Sequence, residues 1–550
     1  WKPINVISLN MKRRNFIKLT TTASAISLFP AQITNALNIG KKFINCDISN
    51  RKLVLIYLGG GNDGLNTLIP LNQYDLYSNL RPTIKVSDSG ANSFINLDTT
   101  LNDSQQIGLH PSLTGFKNLY DSGFLRILQA VGYPSQNKSH FASTDIYNTG
   151  NDGNSWDNGG DSGWIGRFIE SYYYDLVQQS FPIGVEIGSK TGSLGFHGAE
   201  EHGLSINIEG QDASGFYSVL SGLGGEAPTY IPNSHYGEEL QYIIDNDQIS
   251  TLYSEAISNA FNNGSNSATY EDSNLSNQLK TVARLISGGL ESKVYLVKLN
   301  GFDTHFSQVQ SAGDLQGDHN NLLTELNNAI SSFMNDISSQ GFQDDVVGLT
   351  FSEFGRKAKE NGNLGTDHGE IAPMFVFGTA INGGVSGTNP DLTEASENNN
   401  WQLETFQFDY RETLGTLLQD YLGADDFALD STFYNHTDNE SFSQNKISDL
   451  VKDEYSVEEN CYSNTLSNQN LYEKIFRISP NPFKTEINII NPDYQNNISY
   501  TIYDLNGRSV KSGISAINKP IVLDDIMNGI YFIKIKFDNR VESHQIIKAP

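Results

Sequence analysis

Between about residues 51 and 450, short apolar runs alternate with longer stretches in which apolar residues recur every three or four positions. RKLVLIYLGG, FLRILQAVGYP, SKVYLVKLNGFD, DDVVGLTFSEFG and APMFVFGTAI are rich in β-branched and large apolar residues, a pattern that predicts buried strands. LLTELNNAISSFMNDISSQ (322–340) puts Leu322, Leu326, Ala329, Ile330, Phe333 and Ile337 on one helical face, and SNQLKTVARLISGGL (276–290) repeats the pattern. Buried strands alternating with amphipathic helices predict an α/β domain over 37–440, a mostly parallel sheet sandwiched by helices. In such sheets ligands bind beyond the carboxyl ends of the strands. The polar, Gly-rich stretches 145–163 and 262–275 read as surface loops.

The pattern changes near the C-terminus. Residues 441–470 are polar and acidic without an apolar period, and read as a linker. Over 471–550 strand-like alternation dominates, with a Pro-Asn-Pro turn at 480–482 and an Asn506-Gly507 hairpin signal, predicting a small all-β sandwich. Pro480-Asn481-Pro482-Phe483, Tyr503-Asp504-Leu505-Asn506-Gly507-Arg508 and Asn528-Gly529-Ile530-Tyr531-Phe532 resemble the C-terminal sorting domain of the type-nine (type IX) secretion system of Bacteroidetes. That resemblance implies type IX secretion machinery as a partner and delivery to the cell surface or the medium.

Composition narrows the function. The chain carries 36 Lys+Arg against 63 Asp+Glu, a formal charge of −27, and such a surface repels nucleic-acid phosphates. Two cysteines, Cys46 and Cys461, stand in unrelated contexts and form no zinc or iron–sulfur spacing; whether they pair with each other stays open. Residues 1–36 read as an export signal with Met11 as the expected start. Arg13-Arg14-x-Phe16-x-Lys18 resembles a twin-arginine motif, and an ordinary signal peptide remains the alternative. No later run has the length and apolarity of a membrane span, so export through the periplasm is expected.

Chemistry gathers at the predicted strand tips. LNGFDTHF supplies Asp303 and His305, LTFSEFGR supplies Glu353 and Arg356, NLGTDHGE supplies Asp367 and His368, and LVLIYLGGGNDGLNTLIP supplies Asp63. Carboxylates and imidazoles converging on one sheet edge suit one or two divalent cations. The glycines before Asp63 admit a phosphate loop, a dinucleotide loop, a metal ligand or a plain turn. A P-loop lacks its Lys here. The letters Gly59, Gly61 and Gly64 match GxGxxG, but Asp63 would face the pyrophosphate with its charge, and Pro70 interrupts the helix that should follow. A metal ligand and a structural turn remain.

LVLIYLGGGNDGLNTLIP, GLHPSL, VGYPSQNKSHFASTDIYNTG, GFDTHF, TFSEFGR and GTDHG, in this order over roughly 50–430, resemble the family called domain of unknown function 1501. That family resembles a distant branch of the alkaline phosphatase and sulfatase superfamily. The resemblance implies an alkaline phosphatase-like fold, with Zn, Mg, Ca or Mn as the divalent metal. Asp63, Asp303, His305, Glu353, Asp367 and His368 would be metal ligands and Ser139 the nucleophile, with Ser143 and then Thr67 behind it. His140, Arg356 and His110 would be oxyanion or phosphate contacts. Phe354 stands where the superfamily usually has a histidine, which weakens a second metal. Neither cysteine lies in the CxPxR context of a formylglycine sulfatase. The expected function is an exported, metal-dependent hydrolase of small-molecule or glycan phosphate or sulfate esters. The alternative is an inactive surface binding or assembly protein that keeps the fold.

Overall fold

The computed structural model of the chain describes residues 48–154, 162–173, 176, 180–188, 193–199, 205–208, 252–433 and 445–457, and towards the C-terminus 476–481, 483–491, 497–503, 508–517, 519–537 and 540–548. The chain divides into two compact units, Trp1–Asn464 and Thr465–Pro550. The expected export signal, Cys46 and Cys461 lie outside the described residues.

In the first unit the apolar runs become strands. Along the chain these are β1 (Lys52–Gly59), β2 (Leu125–Gly132), β3 (Gly184–Ile187), β4 (Ser205–Ile208), β5 (Val294–Asn300) and β6 (Val346–Phe351). They continue with β7 (Arg356–Glu360), β8 (Thr366–His368), β9 (Ala372–Phe377), β10 (Gly384–Ser386) and β11 (Phe408–Asp409). All but β7 and β8 join one nine-stranded sheet of order β10-β2-β9-β6-β1-β5-β3-β4, with β11 pairing β2. Only β9 runs antiparallel to its neighbours β2 and β6; the other pairings are parallel. β7 and β8 form a separate antiparallel hairpin.

β1 lies inside this sheet, and its residues alternate between two cores. Val54, Ile56 and Leu58 face α3 (Asn274–Ser287) and α4 (Asp318–Ser339), introduced here with α1 (His140–Thr149) and α2 (Trp164–Tyr172) of the opposite side. Leu53 and Leu55 face α1, α2 and α5 (Tyr410–Thr416). Each fully buried Leu or Ile contributes about 1.5–3 kcal/mol. The helical stripe read over 322–340 packs in the first core, with Leu326, Ala329, Ile330 and Phe333 fully buried. The sheet sandwiched by helices is therefore observed.

Two expectations change. The loop expected over 145–163 begins later, because Asp145–Thr149 complete α1. Ile146 and Tyr147 bury there while the polar residues between them disguise the period. Within the expected linker, the described residues 445–457 pack on this unit: Ile447, Leu450 and Val451 are buried in its core. Three apolar side chains can dock without a helical or strand period.

The second unit has β12 (Arg477–Ser479), β13 (Glu486–Ile490), β14 (Ile498–Tyr503), β15 (Ser509–Ser515), β16 (Pro520–Val522), β17 (Gly529–Phe537) and β18 (Arg540–Lys548). They form antiparallel sheets of order β12-β13-β16 and β15-β14-β17-β18 around a core of Ile487, Ile489, Ile502, Ile533 and Ile535.

The start of α5 carries a pH-sensitive element. Asp409 caps the helix, and the Glu412 carboxylate accepts from the Asp409 backbone N–H at 3.1 Å. Burial, reinforced by the Asp409 charge, pushes Glu412 up to about 7, against the opposing hydrogen bond and Arg411. The folded state thus holds this proton more tightly than the unfolded chain, whose ordinary value is 4.5. The contribution is full below that value and is lost as pH rises through about 7. Glu412→Gln keeps the acceptor and removes the titration. We expect urea midpoints to favour this variant at pH 7.5 relative to pH 4.5, by on the order of 1 kcal/mol after solvent screening. An unchanged difference between the two pH values would reject this account.

Candidate metal centre

The carboxyl ends of the adjacent parallel strands β6, β1 and β5 lie on one edge, with Tyr57 beside Phe351 and Gly59 beside Asn300. The loop after β5 carries Asp303 and His305, and the turn after β6 carries Ser352, Glu353 and Phe354. The β7–β8 hairpin sets Arg356 opposite His368. His140 opens α1.

The glycines after β1 admit these loops. Gly60 and Gly61 have φ of +121° and +79°, a region L-residues avoid. A Cβ on Gly60 would lie 2.4 Å from the Asp303 backbone nitrogen, and one on Gly61 2.5 Å from the Phe354 ring. The turn therefore makes room for Asp303 and Phe354.

His140, Asp303 and His368 offer ligand atoms that all lie within 4.8 Å of one another. His305 Nε2 is 3.2 Å from Asp303 Oδ1 and 2.9 Å from His368 Nε2. His368 Nε2 is 3.2 Å from the same Oδ1, and His140 Nε2 is 3.5 Å from Asp303 Oδ2. Burial pushes the Asp303 carboxyl up, but the Arg356 guanidinium at 2.8 Å and the neighbouring histidines outweigh it and hold it at about 2.

The other ring nitrogens decide the tautomers. His140 Nδ1 faces Glu353 Oε1 at 2.8 Å, His305 Nδ1 faces Asp367 Oδ1 at 3.2 Å, and His368 Nδ1 faces the Lys138 carbonyl at 2.8 Å. Carboxylates and carbonyls accept, so each Nδ1 is placed to donate to the group behind its ring, and each Nε2 is turned towards Asp303. Nε2 atoms that face a carboxylate and one another at these distances call for a proton or a cation between them. His140 Nε2 is buried without a hydrogen-bond partner. Two imidazoles and a carboxylate, those of His140, His368 and Asp303, therefore fit a divalent cation, with His305 beside them at Asp303 Oδ1. Acceptors behind metal-bound imidazoles are the usual supporting arrangement.

The remaining expected residues have other partners. Asp63 does not join the group: it is fully buried, 2.6 Å from Arg81 and bonded to Gln308. Burial alone would raise its pKa; Arg81, His319 and these hydrogen bonds hold it below its ordinary value. Glu353 is buried and accepts from the Gly60 N–H and from the Ser352 hydroxyl, so it orients His140. Asp367 backs His305 and is approached by Lys357 and Asn361. Arg356 spends its donors on the carbonyls of Gly60, Gly61, Phe302 and Thr366 and on Asp303, so it positions the loops instead of facing solvent. His140, expected as an oxyanion contact, stands among the ligand atoms.

Ser139 is the exposed N-cap of α1, and its side chain makes no capping bond. Ser143 is fully buried and donates to the Asn137 carbonyl, and Thr67 is buried and bonded to Asn62 and the Asp63 carbonyl. Both hydroxyls are buried and already engaged in hydrogen bonds, unlike the exposed Ser139. His110 is buried beside His319, its Nδ1 accepts from the Ser112 N–H, and burial pushes its pKa down to about 3. Phe354 packs against both His140 and His368, with ring centroids 4.8 and 4.7 Å away, while the two imidazoles touch each other at 4.5 Å. The supporting Lys138 carbonyl and the Arg81 partner of Asp63 carried no signal in the sequence, since a carbonyl belongs to every residue and Arg81 lies outside every strand tip.

Residues 252–426 match the family described as a protein of unknown function, DUF1501. Residues 477–549 match the secretion system C-terminal sorting domain, which indicates export to the cell surface or beyond. No curated protein matches the sequence. Among solved structures, a protein in the alkaline phosphatase superfamily from Vibrio parahaemolyticus is similar at 8% identity and TM-score 0.29, covering 90% of this chain and 78% of its own. The PsFucS1 sulfatase from Pseudoalteromonas sp. is similar at 10% identity and TM-score 0.31, with coverages of 92% and 88%. The alkaline phosphatase from the Antarctic bacterium TAB5 is similar at 12% identity and TM-score 0.24, with coverages of 60% and 92%. Among the described residues, no helix is long and apolar enough to cross a membrane.

Proposed function

We propose that this exported protein is a metal-dependent hydrolase of phosphate or sulfate esters, with one divalent cation held by His140, Asp303, His305 and His368. The observation that carries this reading is the set of imidazole Nε2 atoms turned towards Asp303, each ring with an acceptor behind its Nδ1. A nitrogen-rich donor set suits zinc or a similar transition ion better than calcium or magnesium. Such a cation supplies Lewis-acid charge for an ester oxygen and lowers the pKa of a nearby hydroxyl.

The chain's own residues supply the rest. Asp303 is held between Arg356 and the histidines, so its carboxylate stays ionised and oriented. Glu353 and Asp367 fix the tautomers of His140 and His305. Ser139 stands at the N-terminal end of the α1 dipole, which favours a developing alkoxide. Its Oγ would bond to phosphorus or sulfur as the alcohol leaves, and water would then release the anion.

The full chain should carry one zinc-class ion, and chelation should abolish hydrolysis of 4-nitrophenyl phosphate or sulfate. Ser139→Ala should lower turnover roughly 10³-fold or more with metal content unchanged. A metal-free protein rejects the metal centre. A metal-loaded protein that cleaves neither ester favours the binding-protein alternative, which the fully engaged Arg356 donors also support.

A further inference from the structure

Two phenylalanines that are next in sequence to histidines of the metal centre stand in water. Phe141 follows His140 and is 86% exposed; Phe306 follows His305 and is 68% exposed. Consecutive α-carbons are 3.8 Å apart, so each ring is carried one residue from an imidazole whose Nε2 lies 3.5 or 3.2 Å from the Asp303 carboxylate. The two rings come from separate segments, α1 and the loop after β5, each of which brings a histidine to Asp303.

Local structure does not demand either ring. The apolar residues through which α1 packs are Ile146 and Tyr147, both buried, and its first turn would be formed as well by a polar residue. The loop turns directly after Phe306 at Ser307, whose φ is +59°, a conformation that is unfavourable for a non-glycine residue. The Ser307 carbonyl accepts from the Asp318 N–H at 2.9 Å, which anchors the loop to the start of α4. Leaving a Phe in water forgoes the stabilisation that burial would bring, and isolated exposed aromatics are ordinary. Two of them next to two histidines of one centre are better explained by a ligand that covers them.

We infer that Phe141 and Phe306 bind the organic part of the substrate, selecting esters whose alcohol presents a flat apolar face next to the phosphate or sulfate. This rests on the proposed metal-dependent ester chemistry, because the anion anchored at the metal centre is what would bring the alcohol to the rings. Stacked or edge-to-face contacts with an aromatic group are the favourable geometries.

Phenylphosphonate and methylphosphonate, which carry the same anion and cannot be cleaved as esters, separate the two ideas by titration calorimetry on the zinc-loaded full chain. Phenylphosphonate should bind roughly 10-fold more tightly than methylphosphonate. Phe141→Ala and Phe306→Ala should each weaken phenylphosphonate by about 3- to 10-fold. Phe427→Ala, removing a ring that is 72% exposed elsewhere on the unit, should leave both affinities unchanged. Equal affinity for the two phosphonates overturns the inference and leaves the metal-centre reading standing. So does a preference for the phenyl compound that survives both substitutions, or that Phe427→Ala also removes. Binding of neither compound overturns both.

Discussion

Arg81→Leu should destabilise the α/β unit by about 3–5 kcal/mol, the usual cost of leaving one partner of a buried ion pair uncompensated. Both side chains are fully buried, with the guanidinium 2.6 Å from Asp63 Oδ2. Arg81 also donates to Asn66 Oδ1 and to the carbonyls of Ala358 and Lys357, so the substitution strands acceptors on two segments. Asp63 Oδ1 already lacks a partner, and Gln308 alone would remain on Oδ2. Denaturant midpoints of the full chain measure the loss. Adding Asp63→Asn should restore part of it, because the stranded charge is then gone. A loss below about 1 kcal/mol, or no recovery in the double variant, would show that the pair is not the anchor of this turn.

The second large effect concerns the metal. Asp303→Asn should weaken zinc binding by at least about 100-fold, since residues that merely support metal ligands already cost 10–100-fold. Asp303 is the common neighbour of His140, His305 and His368, and an amide loses the charge that Arg356 and the histidines surround. Asp367→Asn should fall in the smaller range, because Asp367 reaches the centre only through His305 Nδ1. Competition with a chromophoric chelator measures both affinities, and far-UV circular dichroism checks that each variant is folded. Equal losses in the two variants would sink the distinction between ligand and support. An Asp303→Asn variant that binds zinc as tightly as the parent would remove Asp303 from the centre.

Much of the arrangement was legible in the sequence. Each central strand announced itself as an apolar run, and each tip as the point where that run stopped. Asp303 and His305 were therefore placed at the sheet edge by local pattern alone, whereas His368 reaches them from the separate β7–β8 hairpin instead of from a tip of the sheet. The antiparallel run of β9 was not legible, because strand direction leaves no mark on an apolar run buried on both faces. Nor was the end of α1, where two buried residues sit among polar ones.

By itself the sequence determined the five central strands and two of the helices of an α/β unit, the β-rich C-terminal unit and the strand tip that carries Asp303 and His305. Burial and periodicity act over a few residues, so local pattern suffices for these. Only the tertiary structure decided which groups meet. Asp63 sits at a strand tip like the others, yet Arg81, 18 residues away, claims it. His140 reaches the centre because Glu353, 213 residues away, holds its ring. Such pairings depend on how helices and loops dock on the sheet, a long-range packing outcome that no local spacing of residues encodes.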